Sequence, residues 1–204
     1  MQLSQHLHSL GATLPLVMSV ALGELAPWSV TSLQSWQPSG RPGSNPDWYI
    51  HVNITNPDPT QSELDPNILE GNVYCQIVWL YPDVPYNQIV PCEIVDTTSP
   101  TAWAWTVELL EADDDNPYPT SNFDLRWRAA STVSGSTEGD VQVWTGIGQF
   151  EWGKNLQGTC AASGFCSFWL KEESTPVSIE VSSLSCSGTV DEALRGLNCD
   201  QESQ

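Results

Sequence analysis

Basic residues are scarce in this chain. Six Lys and Arg stand against 25 Asp and Glu, a formal charge of −19 over 204 residues. That balance disfavours nucleic acid and anionic membrane as partners, because both are held by cationic contacts. Histidine is almost as rare: three in all, with only His51 beyond residue 23. Triad catalysis needs an oriented base beside its nucleophile, and no G-x-S-x-G pattern accompanies this lone imidazole. There is no C-x-x-C spacing either, so a zinc site lacks a ligand set, and neither metal nor cofactor is expected. After residue 23 no apolar run is long enough to cross a bilayer, and no internal repeat is visible.

What the chain does hold is apolar and aromatic. Hydrophobic residues make up 40%, including ten Trp, which argues for one domain with a real core and against disorder. Residues 1–23 carry no Lys, Arg, Asp or Glu, and their centre, LGATLPLVMSVALG, is apolar with small residues near its end. They read as a signal peptide, so a secreted, extracellular protein is expected. Residues 24–186 then form an all-β domain, and 187–204 a tail. All six cysteines (Cys75, Cys92, Cys160, Cys166, Cys186, Cys199) lie beyond the leader. An even count in a secreted chain implies up to three disulfides, with fifteen connectivities open.

Alternation of apolar and polar residues marks the strands. The chain is organised around Tyr74 to Cys92, where VYCQIVWLY places Val73, Cys75, Ile77, Trp79 and Tyr81 on one face of a largely buried strand. Pro82 and Pro85 end it, and 88–95 reads as a returning strand. Trp28 to Trp36 reads as a first strand, followed by the turn-rich QPSGRPGSNPD. In WYIHVNIT, Trp48, Ile50, Val52 and Ile54 face one way while Tyr49, His51, Asn53 and Thr55 face the other. Asn53-Ile54-Thr55 is the sole glycosylation sequon, on the outward parity, so Asn53 is expected to carry a glycan and His51 to be a solvated surface residue. Segments 102–110 and 122–129 form a hairpin across the acidic EADDDNPYPT, with Trp103, Trp105 and Trp127 inward and Arg126 and Arg128 outward opposite Glu108. Further strands are expected over 141–152, 165–171 and 177–184. A short tail helix starts at a Thr189–Glu192 capping box and stops at Gly196. Eight or nine short strands with frequent turns indicate a single antiparallel barrel or sandwich.

Several of these residues also form a pattern. The leader is followed closely by Trp28-Ser29-Val30, an Ile/Val-rich strand over Trp48 to Thr55, the Cys75 and Cys92 pair, and the close pair Cys160 and Cys166. In this, over roughly residues 28–184, the chain resembles the Alternaria major-allergen-like family of small secreted fungal β-barrel proteins. The resemblance implies a compact antiparallel barrel, a sequential disulfide in each half, and a role at the host–fungus interface without an established catalytic site. Cys186 and Cys199 and the high Trp content depart from it. Sequential spacing, and the strand return between the first pair, lead us to expect Cys75–Cys92, Cys160–Cys166 and Cys186–Cys199.

Two kinds of residue remain for chemistry. A carboxylate pair, as in glycoside hydrolysis, has candidates in Asp113, Asp114, Asp115, Glu138, Asp140 and Glu151, but an acid-rich surface supplies these in any case. Aromatic rings beside loops form the other set. Trp36 and Trp48 flank one turn-rich loop, and Tyr81 and Tyr86 flank PDVP, so these four sit where a barrel mouth would take a ligand. The expected function is binding of a host protein or of a small aromatic or carbohydrate ligand, effector-like or allergen-like, rather than catalysis. The alternative is a carbohydrate-binding or carbohydrate-active protein using paired carboxylates.

Overall fold

The computed structural model describes residues 25–56, 71–95, 104–111, 119–132 and 139–199. Twelve strands, one α-helix and a short 3-10 turn (Glu172–Ser174) occur among them: β1 (Trp28–Gln37), β2 (Asp47–Asn56), β3 (Gly71–Leu80), β4 (Ile89–Pro91), β5 (Glu93–Ile94), β6 (Ala104–Leu110), β7 (Asn122–Thr132), β8 (Asp140–Glu151), β9 (Leu156–Cys160), β10 (Cys166–Leu170), β11 (Val177–Ile179), β12 (Val181–Ser187) and α1 (Val190–Leu194). The strands build two antiparallel sheets. Sheet one runs β5-β3-β2-β1-β10-β9, with β11 also pairing β1, and sheet two runs β12-β8-β7-β6-β4.

Two bent segments join the sheets. Ile89 to Pro91 pair with β6 in sheet two, and one residue later Glu93 pairs with Tyr74 in sheet one. Between them Cys92 donates its N–H to the Trp105 carbonyl and is bonded to Cys75 of β3, so the disulfide staples both sheets at this corner. The second corner is Glu180, where β11 leaves β1 and β12 takes up β8. Strands that change sheets in this way make the corners of packed sheets. The hydrogen-bonded ladders stop at each corner, so the expected barrel takes the form of two sheets meeting along two seams.

Strand parity decides the core. Val73, Cys75, Ile77 and Trp79 of β3 face Val107 and Leu109 of β6 and Phe123, Leu125 and Trp127 of β7 in one buried cluster. Each buried aliphatic or aromatic side chain of this kind stabilises by about 1.5–3 kcal/mol. β8 narrows to let the second seam close. A Cβ on Gly148 would stand 2.6 Å from Ile179 Cδ1, and one on Gly146 2.7 Å from Ile179 Cγ2. Only glycine permits that approach.

A smaller cluster lies on the outer face of sheet two. There Ala193 and Leu194 of α1 cover Ala130, Val141, Val143 and Cys186. The helix begins at the Thr189–Glu192 capping box, and Gly196 follows it at φ 73°. The Cys186–Cys199 bridge holds the tail against β12, and Cys160–Cys166 closes the β9–β10 hairpin. All three bridges join sequential cysteines, as the spacing indicates.

Several expectations need correction, beginning with the strand number, which is twelve among the described residues rather than eight or nine. β3 is buried on one side only: Val78 and Leu80 on its other face are 46% and 53% exposed. Tyr81 leaves the strand altogether, in the turn that Pro82 imposes. The expected strands 88–95 and 177–184 are each broken at a corner, and β9 adds a strand that alternation does not mark. Trp103, Asp113 to Asp115 and Glu138 lie outside the described residues.

Candidate functional site

The loops at one end of sheet one border an open cavity of about 520 Å³, within the 300–1,000 Å³ range usual for small-molecule sites. Its walls are the β1–β2 connection (Gln37 to Gly40, and Pro46), Trp48, the end of β3 (Leu80 and Tyr81) and Gly164 of the β9–β10 hairpin. The connection is shaped by turn residues. Gly40 and Gly164 both adopt positive φ, which favours glycine, and Gly164 stands within van der Waals reach of the Ser39 carbonyl, so the two loops meet there.

The aromatic wall follows from register. Trp48 opens β2 on its inward parity, opposite Trp79 of β3, and the two rings lie 6.1 Å apart. Beyond the strand, Tyr81 folds back and stacks on Trp48, with centroids 5.3 Å apart at 21°. The three rings lead from core to solvent: Trp79 is 5% exposed, Trp48 8% and Tyr81 64%. Buried rings anchor the wall, and the outermost offers a face to a ligand. Polar groups come from Gln37, Ser39 and the glycine backbones. Among the described lining residues there is no carboxylate, imidazole or thiol. The arrangement can hold a neutral, partly flat molecule by stacking and hydrogen bonds.

The four expected aromatic residues do not converge. Trp48 and Tyr81 form the wall. Trp36 lies on the outer face of sheet one, because a bulge between Val30 and Ser32 reverses the parity of the rest of β1. There it stacks on Tyr49 at 5.7 Å and meets Phe165 edge-on at 4.2 Å. Tyr86 packs against the main core and bridges to Leu109. Burial, then the Glu111 charge, raises its pKa above the ordinary value.

The Trp36–Tyr49 stack continues as a column across the sheet. Tyr49 stacks on His51 at 4.2 Å, and His51 meets Tyr74 edge-on at 5.7 Å. His51 is therefore not a freely solvated side chain: it is half-buried between rings, and its Nε2 is enclosed without a hydrogen-bond partner. Burial lowers its pKa below 6.5. Burial raises the pKa of Tyr49, with the Tyr74 charge adding to it, and that of Tyr74, with the Glu93 charge adding. The signal for this column was present in the alternation, which sets Tyr49 and His51 outward. What it could not reveal was the bulge that adds Trp36.

The acidic candidates separate as well. Asp140 and Glu151 stand at opposite ends of the twelve-residue β8, roughly 35 Å apart at the rise of an extended strand. Glu151 is paired with Lys154. These two cannot form a catalytic pair with each other. Glu108 is committed too, with Oε2 3.1 Å from Arg126 Nη1 and 3.0 Å from Arg128 Nη1.

Comparison of the chain with family models, with curated proteins and with solved structures found no match. The site's own geometry thus carries the functional argument.

Proposed function

We propose that this is a secreted, effector-like or allergen-like fungal protein that acts by binding a small neutral ligand, aromatic or carbohydrate, at the Trp48–Tyr81 mouth. In this reading the two sheets form a flattened barrel with the mouth at its loop end; the sheet-changing corners at Cys92 and Glu180 favour that description. One observation carries the proposal. A cavity of ligand size is walled by an exposed ring stacked on a buried one, and its described lining offers hydroxyl and amide contacts but no carboxylate, imidazole or thiol. Hydrolytic catalysis most often uses such groups within reach of the substrate, whereas binding needs only shape, stacking and a few polar partners.

Carbohydrate is the second reading within the same site, favoured by the amide of Gln37 and the hydroxyl of Ser39 beside the Tyr81 face. Native mass spectrometry of protein secreted from a eukaryotic host, followed by Trp-emission titration with soluble oligosaccharides and with neutral aromatic compounds, tests the proposal. Saturable quenching by one class is the expected result. Turnover of a polysaccharide, without saturable binding of either class, would replace it with the enzymatic alternative.

A further inference from the structure

The outer face of sheet one divides at Asn53. In register, Asn53 lies between Ser32 of β1 and Tyr74 of β3. Toward β1 the side chains are small and hydroxylated: Ser29, Thr31, Ser32 and, on β2 itself, Thr55. The bulge after Val30 leaves both Thr31 and Ser32 exposed. Toward β3 stands the end of the ring column. Along that column the faces are already used, since Trp36 and Tyr49 lie within 10° of parallel and Tyr49 and His51 within 22°. Tyr74 breaks the stack at 71°, which leaves at least one of its faces outside it. A shelf of hydroxyls beside an aromatic face that lies outside the column is a complementary surface for one pyranose ring.

The carboxamide at the centre is compatible with an attached sugar. Asn53 Nδ2 donates one N–H to Ser32 Oγ at 2.6 Å. An amide nitrogen has two hydrogens, so substitution of the other leaves this bond intact. Asn53 is half-buried but outward, and Thr55 completes the sequon on the same face.

We infer that Asn53 carries an N-linked glycan whose first N-acetylhexosamine lies over Tyr74 and closes that end of the ring column. This rests on the secretory reading above, because the donor is a polyprenyl-diphosphate-linked oligosaccharide of the secretory pathway. In the transfer, Asn53 Nδ2 bonds to C1 of the sugar and the C1–O bond to the diphosphate breaks. The diphosphate leaves with the electron pair, and Nδ2 loses one proton to solvent. No oxidation state changes. The glycan covers the Tyr74 end of the ring column, so it limits association through that end while the mouth stays free.

The experiment expresses the full chain in a eukaryotic host, once behind its own residues 1–23 and once behind a heterologous leader. Intact mass should show a single glycan, removed by peptide N-glycosidase and absent from both Asn53→Gln and Thr55→Val. In labelled protein trimmed to one sugar, the N-acetyl methyl resonance should be displaced upfield by the Tyr74 ring, and Tyr74→Leu should return it to its free value with occupancy unchanged. Folded protein secreted behind the heterologous leader with Asn53 unmodified would overturn the inference. So would a glycan whose resonances ignore Tyr74. If only the heterologous leader exports the chain and Asn53 is then occupied, the secretory reading fails and native glycosylation with it, while the competence of Asn53 as an acceptor and the sugar's place over Tyr74 stand.

Discussion

The outer faces of the two sheets are finished in opposite ways. Sheet two is mostly closed: Glu108 on β6 gathers Arg126 and Arg128 of β7, and α1 lays Ala193 and Leu194 over Val141 and Val143, while Ile147 remains exposed. Sheet one leaves its outer face open, with Val78, Leu80 and Trp169 between 39% and 53% exposed beside the ring column, and the cavity at its end. Core packing explains the inward residues of both sheets equally. The difference outside is therefore where function is to be sought, because large exposed apolar surface marks contact sites while a charge-paired, helix-covered face does not.

The comparison breaks most completely if sheet two is made to resemble sheet one. Replacing Cys186 and Cys199 with Ala frees the tail that holds α1. Loss of a bridge that closes a loop of 13 residues should cost about 3 kcal/mol in the chain-entropy model. Urea denaturation measures the loss, and binding of a hydrophobic dye should rise as Val141 and Val143 are uncovered. A smaller effect is expected from Glu108→Ala, which leaves two guanidiniums facing each other. Breaking a buried pair costs 3–5 kcal/mol, but both arginines keep partial access to water, which lowers the expectation to about 2 kcal/mol. Salt should recover part of it by screening the repulsion.

On the open face the expected stability effect is smaller and depends on pH. His51 has a folded pKa lowered below 6.5 by burial, so the unfolded chain binds its proton more readily. The contribution of the neutral imidazole is whole above pH 6.5 and is lost as the pH falls from there through the lower folded value. His51→Gln should flatten that stretch of the stability profile, and an unchanged slope would place its cause elsewhere.

Much of this contrast is visible in the chain before folding. Alternation in WYIHVNIT and NFDLRWRA sorts residues in and out, because a strand has a period of two and each of these has one buried face. The capping box marks α1 because its hydrogen bonds are local. Tertiary choices are not visible. The bulge after Val30 that carries Trp36 to the outer face depends on the pairing of β1 with β2, and the breaks at Cys92 and Glu180 depend on which sheet each half meets. β9 escapes notice because Gly158 interrupts a short polar strand, where Phe168 of β10 packs so close that a Cβ would meet its ring at 2.5 Å. Two residues of the mouth's aromatic wall were legible, Trp48 and Tyr81, because both flank proline-rich turns. Gly164 was not, since a hairpin more than 80 residues away from either brings it there.

The central claim is that the mouth on sheet one is a binding site. Its most direct test is a paired Trp-emission titration of wild type, Tyr81→Ala and Ile147→Ser with whichever ligand class quenches the wild type. Tyr81 and Ile147 are 64% and 47% exposed, so both variants should keep wild-type stability within about 0.5 kcal/mol. Loss of one aromatic contact worth about 1.4 kcal/mol should weaken binding about tenfold in Tyr81→Ala. Ile147→Ser, on sheet two, should bind as wild type does. Equal affinity in wild type and Tyr81→Ala would contradict the assignment of the mouth.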